Sequence, residues 1–286
     1  MRERTLTFGA GGRLVGTLTV PDDWDAVPQR YTALLSNSGV IPRVGWGRVN
    51  VRIARRFAAL GIASMRFDMS GLGDSAGADS GLSAARQWVE DTRAAMDAAT
   101  ESIGSRRFLM VGLCSGADIA YLTALEDARL EAAVLWDLCC YPTRKARIRA
   151  VLRRLRRIGF SALKRVPGAM IGYIRRRAGP ASSGKSEESE GFYGRTEMPS
   201  REEFVPLIAR LVERRVALLF GYSGSAPRWF NYREQFADMF SDSGWLDQVS
   251  WEYLPDCDHL HTQRRSQQLF NDWVEAWVRS HVLNRQ

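Results

Sequence analysis

Short apolar runs alternate with amphipathic segments along most of the chain. The runs are five to eleven residues long and rich in Val, Leu, Phe and Tyr, which is typical of strands. In the segments between them, apolar positions recur every three or four residues, as in a helix with one buried face. The predicted strands are 4–8, 14–20, 31–35, 62–69, 107–114, 130–140, 216–224 and 249–255, and the predicted helices are 49–60, 83–103, 115–127, 201–213, 229–240 and 262–282.

This alternation predicts an α/β fold in which a mainly parallel sheet is flanked by helices on both faces. The pattern is interrupted between 141 and 213, where 144–178 predict two basic amphipathic helices with Ile148, Leu152, Leu155 and Ile158 on one face. Residues 1–140 and 214–286 are therefore predicted to form a core domain. Residues 141–213 are predicted to form a helical cap, with a flexible linker near 179–195.

The basic residues of the chain are concentrated in that interruption. The formal net charge is +8, yet residues 141–185 contain 14 Lys and Arg and no acidic residue. The rest of the chain has 26 basic and 32 acidic residues. A basic cap of this kind is compatible with a solvated helix, with docking of a carrier protein or coenzyme A, or with peripheral contact to an anionic membrane. Nucleic acid is not expected, because the remaining domain is acidic and has no recognition motif.

The cysteine content and the N-terminal sequence predict a cytoplasmic protein. The first residues contain no apolar segment like that of a signal peptide, and no apolar stretch is long enough to cross a membrane. The chain has four cysteines, Cys114, Cys139, Cys140 and Cys257, which are expected to be reduced thiols.

The segment VGLCSGADIA, residues 111–120, is the strongest candidate for chemistry. It has the pattern of a strand, a tight turn and the start of a helix, with Gly112 and Gly116 two residues either side of Cys114. Glycines at these positions allow a turn tight enough to present a nucleophile. Ser115 is the rival nucleophile, although its neighbours two positions away, Leu113 and Ala117, would crowd the turn. A buried structural cysteine is the alternative without chemistry.

A nucleophile of this kind needs a base, and the chain has three histidines. The segment PDCDHLHT follows the last predicted strand, where a histidine belongs when the chain order is nucleophile, acid, histidine. His259 is the candidate base, and His261 is the second choice, with a polar helix-start residue as its alternative role.

These motifs together resemble the α/β-hydrolase superfamily over nearly the whole chain. RFDMSGLGDSAG is similar to its R-x-D-x-x-G-x-G-x-S turn, GLCSGA to its nucleophile elbow, and the DH pair near the C-terminus to its histidine loop. With SGVIPRVGWGRVNVRIARRFAALGIASM, the sequence resembles the exosortase-associated hydrolases more narrowly. A cysteine at the elbow is also found in dienelactone hydrolases and in aminoacyltransferases that move acyl groups between carrier proteins.

The resemblance implies roles for particular residues. Cys114 would be the nucleophile and His259 the base. The oxyanion hole would combine the backbone N–H of Ser115 with that of Val40, and Gly39 would allow close approach. Asp68 and Ser75, in the RFDMSGLGDS turn, are expected to be structural.

The acid is absent from its usual place, because YSGSAPRW follows the strand where family members have Asp. Asp137, at the end of VLWD, is a candidate acid. A solvated or cap-bonded Asp137 is the alternative, and a Cys–His dyad without an acid would also be workable, since a thiol needs less activation than a hydroxyl.

The predicted function is acyl hydrolysis or acyl transfer through an acyl-S-enzyme, with an acyl thioester of a carrier protein or coenzyme A as donor. This chemistry needs neither a metal nor a cofactor. Two alternatives remain open at this point: an esterase or lactonase of the dienelactone-hydrolase type, and a non-catalytic binding or accessory protein with the same fold.

Overall fold

A computed structural model describes residues 1–24, 31–158 and 199–284. Its centre is an eight-stranded sheet in the order β1-β2-β4-β3-β5-β6-β7-β8. Strand β2 is antiparallel to β1 and β4, and all other neighbouring pairs are parallel. The predicted α/β class with a mainly parallel sheet is therefore confirmed. The strands are β1 Arg2–Phe8, β2 Leu14–Val20, β3 Tyr31–Leu35, β4 Ala63–Phe67, β5 Arg107–Leu113, β6 Leu130–Trp136, β7 Ala217–Ser223 and β8 Ser250–Leu254.

Seven α-helices accompany the sheet within the described residues: α1 Val49–Ala59, α2 Ala84–Ile103, α3 Ser115–Glu126, α4 Arg144–Ile158, α5 Arg201–Glu213, α6 Gln235–Phe240 and α7 Arg264–Val278. The prediction of a helix over 229–240 is too long by six residues. In the structure, the backbone N–H of Asn231 donates to the Gln235 side chain at 2.9 Å, and the Asn231 amide donates to the Pro227 carbonyl at 3.0 Å. These side-chain bonds hold the preceding residues in turns instead of a helix.

The sheet is covered on both faces, because alternate residues of its strands belong to two different hydrophobic clusters. In β3, for example, Leu34 belongs to one cluster, whereas Ala33 and Leu35 belong to the other. Helices α2, α3, α5 and α6 contribute to the first cluster, and α1 and α7 to the second. Because strands β3 to β8 are parallel, their carboxyl ends lie at one common edge of the sheet, and the loops that carry the candidate residues follow these ends.

The predicted cap is only partly described. Helix α4 lies in it, but residues 159–198, which include the predicted linker and the second basic helix, lie outside the described residues. Helix α5 belongs to the sheet domain by its packing, since Phe204, Ile208 and Leu211 are buried in the first cluster. The predicted boundary at residue 214 had placed this helix with the cap. In the part of the chain that is described, no helix has both the length and the apolar character needed to cross a membrane.

A buried carboxylate joins two loops at the functional edge of the sheet. Asp68 is inaccessible to solvent and accepts hydrogen bonds from the Arg43 backbone N–H at 2.6 Å and from the Asn37 amide at 3.0 Å. Its backbone carbonyl accepts a bond from the Ser75 hydroxyl at 2.7 Å. Asp68 thus ties the loop after β3 to the turn after β4, in agreement with the structural role predicted for Asp68 and Ser75.

The packing of α3 against β5 and against the loop after β3 leaves no room for a side chain at two positions. A Cβ atom on Gly112 would lie 2.3 Å from the Gly116 carbonyl oxygen and 2.6 Å from the Ala117 Cα. A Cβ atom on Gly116 would lie 2.7 Å from the Asn37 carbonyl oxygen. The glycine spacing noted in the sequence is therefore a packing requirement at the start of α3.

We expect Gly112→Ala to destabilise the protein by about 2 to 3 kcal/mol, because backbone atoms must move to admit the methyl group. Gly77→Ala is the matched control, since a Cβ there meets nothing within 4 Å, and its effect should stay within about 0.5 kcal/mol. Urea denaturation followed by circular dichroism measures both. Equal stability of the two variants would contradict this account of the glycine spacing.

Candidate active site

Cys114 connects β5 to α3 in a strained backbone conformation. Its φ of 56° and ψ of −123° lie where residues other than glycine are rarely found. The Cys114 N–H donates to the Trp136 carbonyl at 3.0 Å, and the Cys114 carbonyl accepts from the Ala117 N–H at 2.8 Å. Cys114 is partly accessible to solvent. The turn predicted from the glycine spacing is therefore present, with the thiol at its apex.

His259 lies in the loop after β8 and contacts Cys114. Its Nδ1 is 2.7 Å from Asp137 Oδ2, and its ring also forms a hydrogen bond with the Cys114 side chain. Because Asp137 occupies Nδ1, Nε2 is the ring nitrogen left for the thiol. The structure thus brings Cys114, His259 and Asp137 together in one line of hydrogen bonds.

Asp137 occupies this position because two strands hold it. It follows β6 directly, has a positive φ of 52°, and is 1% exposed. Its backbone N–H donates to the Gly221 carbonyl at 2.8 Å, and its Oδ1 accepts from the Ser223 N–H at 2.9 Å. The end of β7, where the resemblance to α/β hydrolases placed the acid, therefore supplies a backbone donor to a carboxylate that follows β6.

The environment of His259 favours its charged form. Burial of the ring disfavours the cation, but the hydrogen bonds to Asp137 and Cys114 and the electrostatic interactions with these groups outweigh it, and the pKa of His259 rises to about 9. The imidazole is therefore an imidazolium at neutral pH, stabilised by a carboxylate on one side and by the sulfur on the other.

His261, the second choice for the base, is a buried packing residue. It is inaccessible to solvent, and its ring lies against Trp136 and Phe270 with centroid separations of 4.9 Å and 4.4 Å. Burial lowers its pKa to about 4, so the ring is neutral at physiological pH. The Nδ1 of His261 lies 3.4 Å from Ser266 Oγ.

Two features of the histidine loop were missed in the sequence. The His259 backbone N–H donates to Ser225 Oγ at 2.8 Å, and the Asp258 carboxylate accepts from the backbone N–H groups of Leu260 at 3.1 Å and of Thr262 at 3.0 Å. Ser225 and Asp258 therefore fix the loop that carries the imidazole. The sequence does contain a signal for the role of Ser225, because Ser223 and Ser225 stand in YSGSAP where an acid was expected.

The predicted oxyanion loop lies against the start of α3. The Gly39 N–H donates to Ser115 Oγ at 2.8 Å, and the Ser38 hydroxyl donates to the Leu113 carbonyl at 3.0 Å. These bonds hold the loop that contains Val40 against Ser115, the first residue of α3. Gly39 has a φ of +58°, which glycine adopts without strain, and a Cβ there would meet no protein atom within 4 Å.

Ser115, the rival nucleophile, is engaged in this loop contact. Its hydroxyl accepts a hydrogen bond from the Gly39 N–H, and its backbone lies in the first turn of α3.

Within residues 1–24, 31–158 and 199–284, no group of three or more His, Cys, Asp or Glu side chains is arranged to hold a metal ion.

We expect NMR titration of the three histidine rings to give a pKa for His259 of about 9, while His261 stays neutral until about pH 4. Asp137→Asn should lower the pKa of His259, because it removes the carboxylate charge and keeps the size of the side chain. Asp91→Asn, which removes another buried carboxylate, one bonded to Ser70 and Gln87, should leave the pKa of His259 unchanged. A wild-type His259 that titrates near 6.5 would contradict the proposed charge arrangement.

Comparison with known proteins adds two findings. Residues 46–171, less than half of the chain, match the family model described as "Serine aminopeptidase, S33". No curated protein is significantly similar to the chain in sequence.

Solved structures are similar over almost the full length. An esterase from Pyrococcus furiosus has a TM-score of 0.59 at 11% identity, covering 97% of this chain and 90% of the esterase. A serine α/β hydrolase without a lid from Xanthomonas campestris has a TM-score of 0.56 at 15% identity, covering 97% and 94%. An esterase domain from Rhodothermus marinus has a TM-score of 0.54 at 18% identity, covering 97% of both chains. The strand order and these solved structures show that the chain has the α/β-hydrolase fold.

Proposed function

We propose that the chain is an acyl hydrolase or acyltransferase that forms an acyl-S-enzyme on Cys114, with a thioester as the acyl donor. The observation that carries this proposal is the line of hydrogen bonds from Asp137 through His259 to Cys114. In this proposal, His259 moves the proton and Asp137 orients the ring and stabilises its charge.

The sulfur nucleophile favours a thioester donor. Attack of a thiolate on an oxygen ester produces a thioester, which is higher in energy than the starting bond. Attack on a thioester exchanges one carbon–sulfur bond for another, so the acyl-enzyme forms at nearly equal energy. A thioester of coenzyme A or of a carrier-protein phosphopantetheine would meet this condition.

The raised pKa of His259 supports the same chemistry. An imidazolium beside the sulfur stabilises a thiolate, and the thiolate is the reactive form of cysteine. The start of α3 directly after Cys114 adds the partial positive charge of a helix N-terminus. Cys114 would therefore attack without transferring its own proton in that step.

The proposed steps balance as follows. The thiolate Sγ attacks the carbonyl carbon, and the π electron pair moves to the oxygen, which the N–H groups of Ser115 and Val40 stabilise. The oxyanion collapses and breaks the bond to the donor sulfur, which takes the proton from His259. Neutral His259 then removes a proton from the acceptor, water or another nucleophile, as it attacks the acyl-enzyme. Collapse of the second intermediate releases Cys114 as a thiolate and leaves His259 protonated.

Oxygen esters or lactones are the second candidate substrate class. Two of the similar structures are named as esterases, and the matched family model is named for a serine enzyme. This chain differs from a serine hydrolase by the residue at the apex of the turn. The two classes are distinguished by the rate at which each donor acylates the enzyme.

We expect intact-protein mass spectrometry to show an acyl adduct after mixing with acyl-pantetheine thioesters, and slower or no labelling with aryl esters. Cys114→Ala should abolish the adduct, whereas Ser115→Ala should keep it. Loss of the adduct in Ser115→Ala alone would instead identify Ser115 as the nucleophile. No adduct and no turnover with any donor would support the alternative of a binding protein with this fold.

Asp137→Asn should reduce the acylation rate about a hundredfold, because the amide neither orients the imidazole in the same way nor stabilises its charge. The circular dichroism spectrum should stay unchanged. Asp91→Asn removes another fully buried carboxylate, one that is bonded to Ser70 and Gln87, and should keep the acylation rate. Stopped-flow acylation at saturating donor measures both. An unchanged rate in Asp137→Asn would favour a Cys–His dyad.

A further inference from the structure

Helix α4 exposes two of the four apolar side chains that its sequence pattern places on one face. Ile148 is 49% and Leu152 is 50% exposed. Seven large hydrophobic side chains are exposed among the described residues, and five of them are on α4 or in loops that follow the carboxyl ends of β3 and β4. The seven are Met1, Val40, Val44, Leu82, Ile148, Leu152 and Leu269.

The charge of α4 is unusually uniform. The 15 residues of Arg144–Ile158 include eight Lys or Arg and no acidic residue. Lys145 forms ion pairs with Glu234 at 3.9 Å and Asp238 at 3.8 Å, and Lys145 and Arg149 lie over the Tyr232 ring at 4.3 Å and 5.2 Å. With eight basic residues and no acidic residue, the helix has a strong net positive charge.

The apolar and basic residues of α4 are arranged in stripes. At about 100° per residue, Ile148 and Leu152 are about 40° apart, with Lys145 and Arg156 on one side and Arg147 on the other. Ala146, which is fully buried, points about 160° away from Ile148. Its carbonyl accepts from the Asn231 amide at 3.0 Å, which attaches the opposite face of the helix to the body of the protein.

We infer that this surface, formed by Ile148 and Leu152 of α4 with the cations beside them, docks on an anionic lipid membrane. An apolar stripe flanked by long basic side chains is the arrangement of helices that lie in a membrane interface, where the apolar residues enter the headgroup layer and the cations meet anionic lipids. Val40, Val44 and Leu82, in the loops after β3 and β4, are also exposed.

Charge complementarity and the apolar exposure together favour lipid over the other occupants. The phosphates of coenzyme A would be recognised by the arginines but would leave Ile148 and Leu152 exposed. Pairing of an acidic carrier protein with the cations of α4 would by itself make no use of the exposed Ile148 and Leu152. The inference does not depend on the chemistry of Cys114, so it is tested separately from the proposed function.

The experiment is co-sedimentation of the full chain, carrying Cys114→Ala, with vesicles of phosphatidylcholine alone or mixed with phosphatidylglycerol. We expect binding to the mixed vesicles at low salt, little binding to phosphatidylcholine, and weaker binding as salt is raised. The double substitution Ile148→Ser and Leu152→Ser should weaken binding about tenfold, because it removes the apolar part of the contact.

Matched controls distinguish binding through this surface from nonspecific hydrophobic binding and from the effect of net charge. Leu269→Ser removes an exposed apolar residue on α7 and should leave binding unchanged. Arg147→Gln with Arg156→Gln should weaken binding, whereas Arg264→Gln with Arg265→Gln changes the net charge equally at another exposed site and should have a smaller effect. All four α4 positions are exposed, so the melting temperature should stay constant in every variant.

Three results would overturn the inference. The first is no binding to anionic vesicles at low salt. The second is an equal loss of binding in the α4 variants and their controls. The third is tight binding of coenzyme A or of an acidic acyl carrier protein, lost in the α4 variants, without any binding to vesicles, which would assign α4 to the acyl donor.

Discussion

The contact between the buried carboxylate of Asp137 and the ring of His259 is the interaction on which the site depends. A carboxylate that is 1% exposed is costly to bury unless it is paired and hydrogen-bonded. Here one oxygen accepts the Ser223 N–H and the other meets His259 Nδ1. The same contact fixes the ring orientation, raises the pKa of His259 to about 9 and leaves the second ring nitrogen for the sulfur. Loss of the His259 ring would leave the buried Asp137 charge without its partner, and loss of the Asp137 carboxylate would leave the imidazole without the group that aligns it.

The second constraint is steric and concerns the thiol. Cys114 is held at positive φ because Gly112 and Gly116 let α3 pack directly on β5 and on the loop after β3. That loop is held in turn by the buried Asp68, which bonds to Asn37 and to the Arg43 backbone. The strained turn and the oxyanion loop are therefore parts of one packed unit, and neither can move without the other.

Much of this architecture could be predicted from local pattern. Periodicity gave the strands and most helices, because each has one or two buried faces, and the glycine spacing around Cys114 reported a real packing limit. The pairing of Asp137 with His259 could be predicted only as one of several alternatives, because it depends on contacts between residues 122 positions apart. The role of Ser225 and the start of α6 at Gln235 depend on side-chain bonds within loops, which leave little periodic signal. The pattern placed Ile148 and Leu152 on one face of a helix but could not predict their exposure, since an amphipathic sequence does not specify what covers its apolar face.

The placement of the acid on β6 has a consequence for the loop that follows β7. When that loop supplies the acid, its backbone must hold a charged side chain against the histidine. In this chain β7 contributes a backbone N–H from Ser223. Residues 226–234 therefore do not have to supply the acid. The same stretch supplies Asn231, which bonds to the Ala146 carbonyl, and Tyr232, whose hydroxyl lies 2.6 Å from Thr143 Oγ1. The end of β6 therefore supplies the charged group of the site, and the loop after β7 supplies the contacts that hold the basic helix α4 in place.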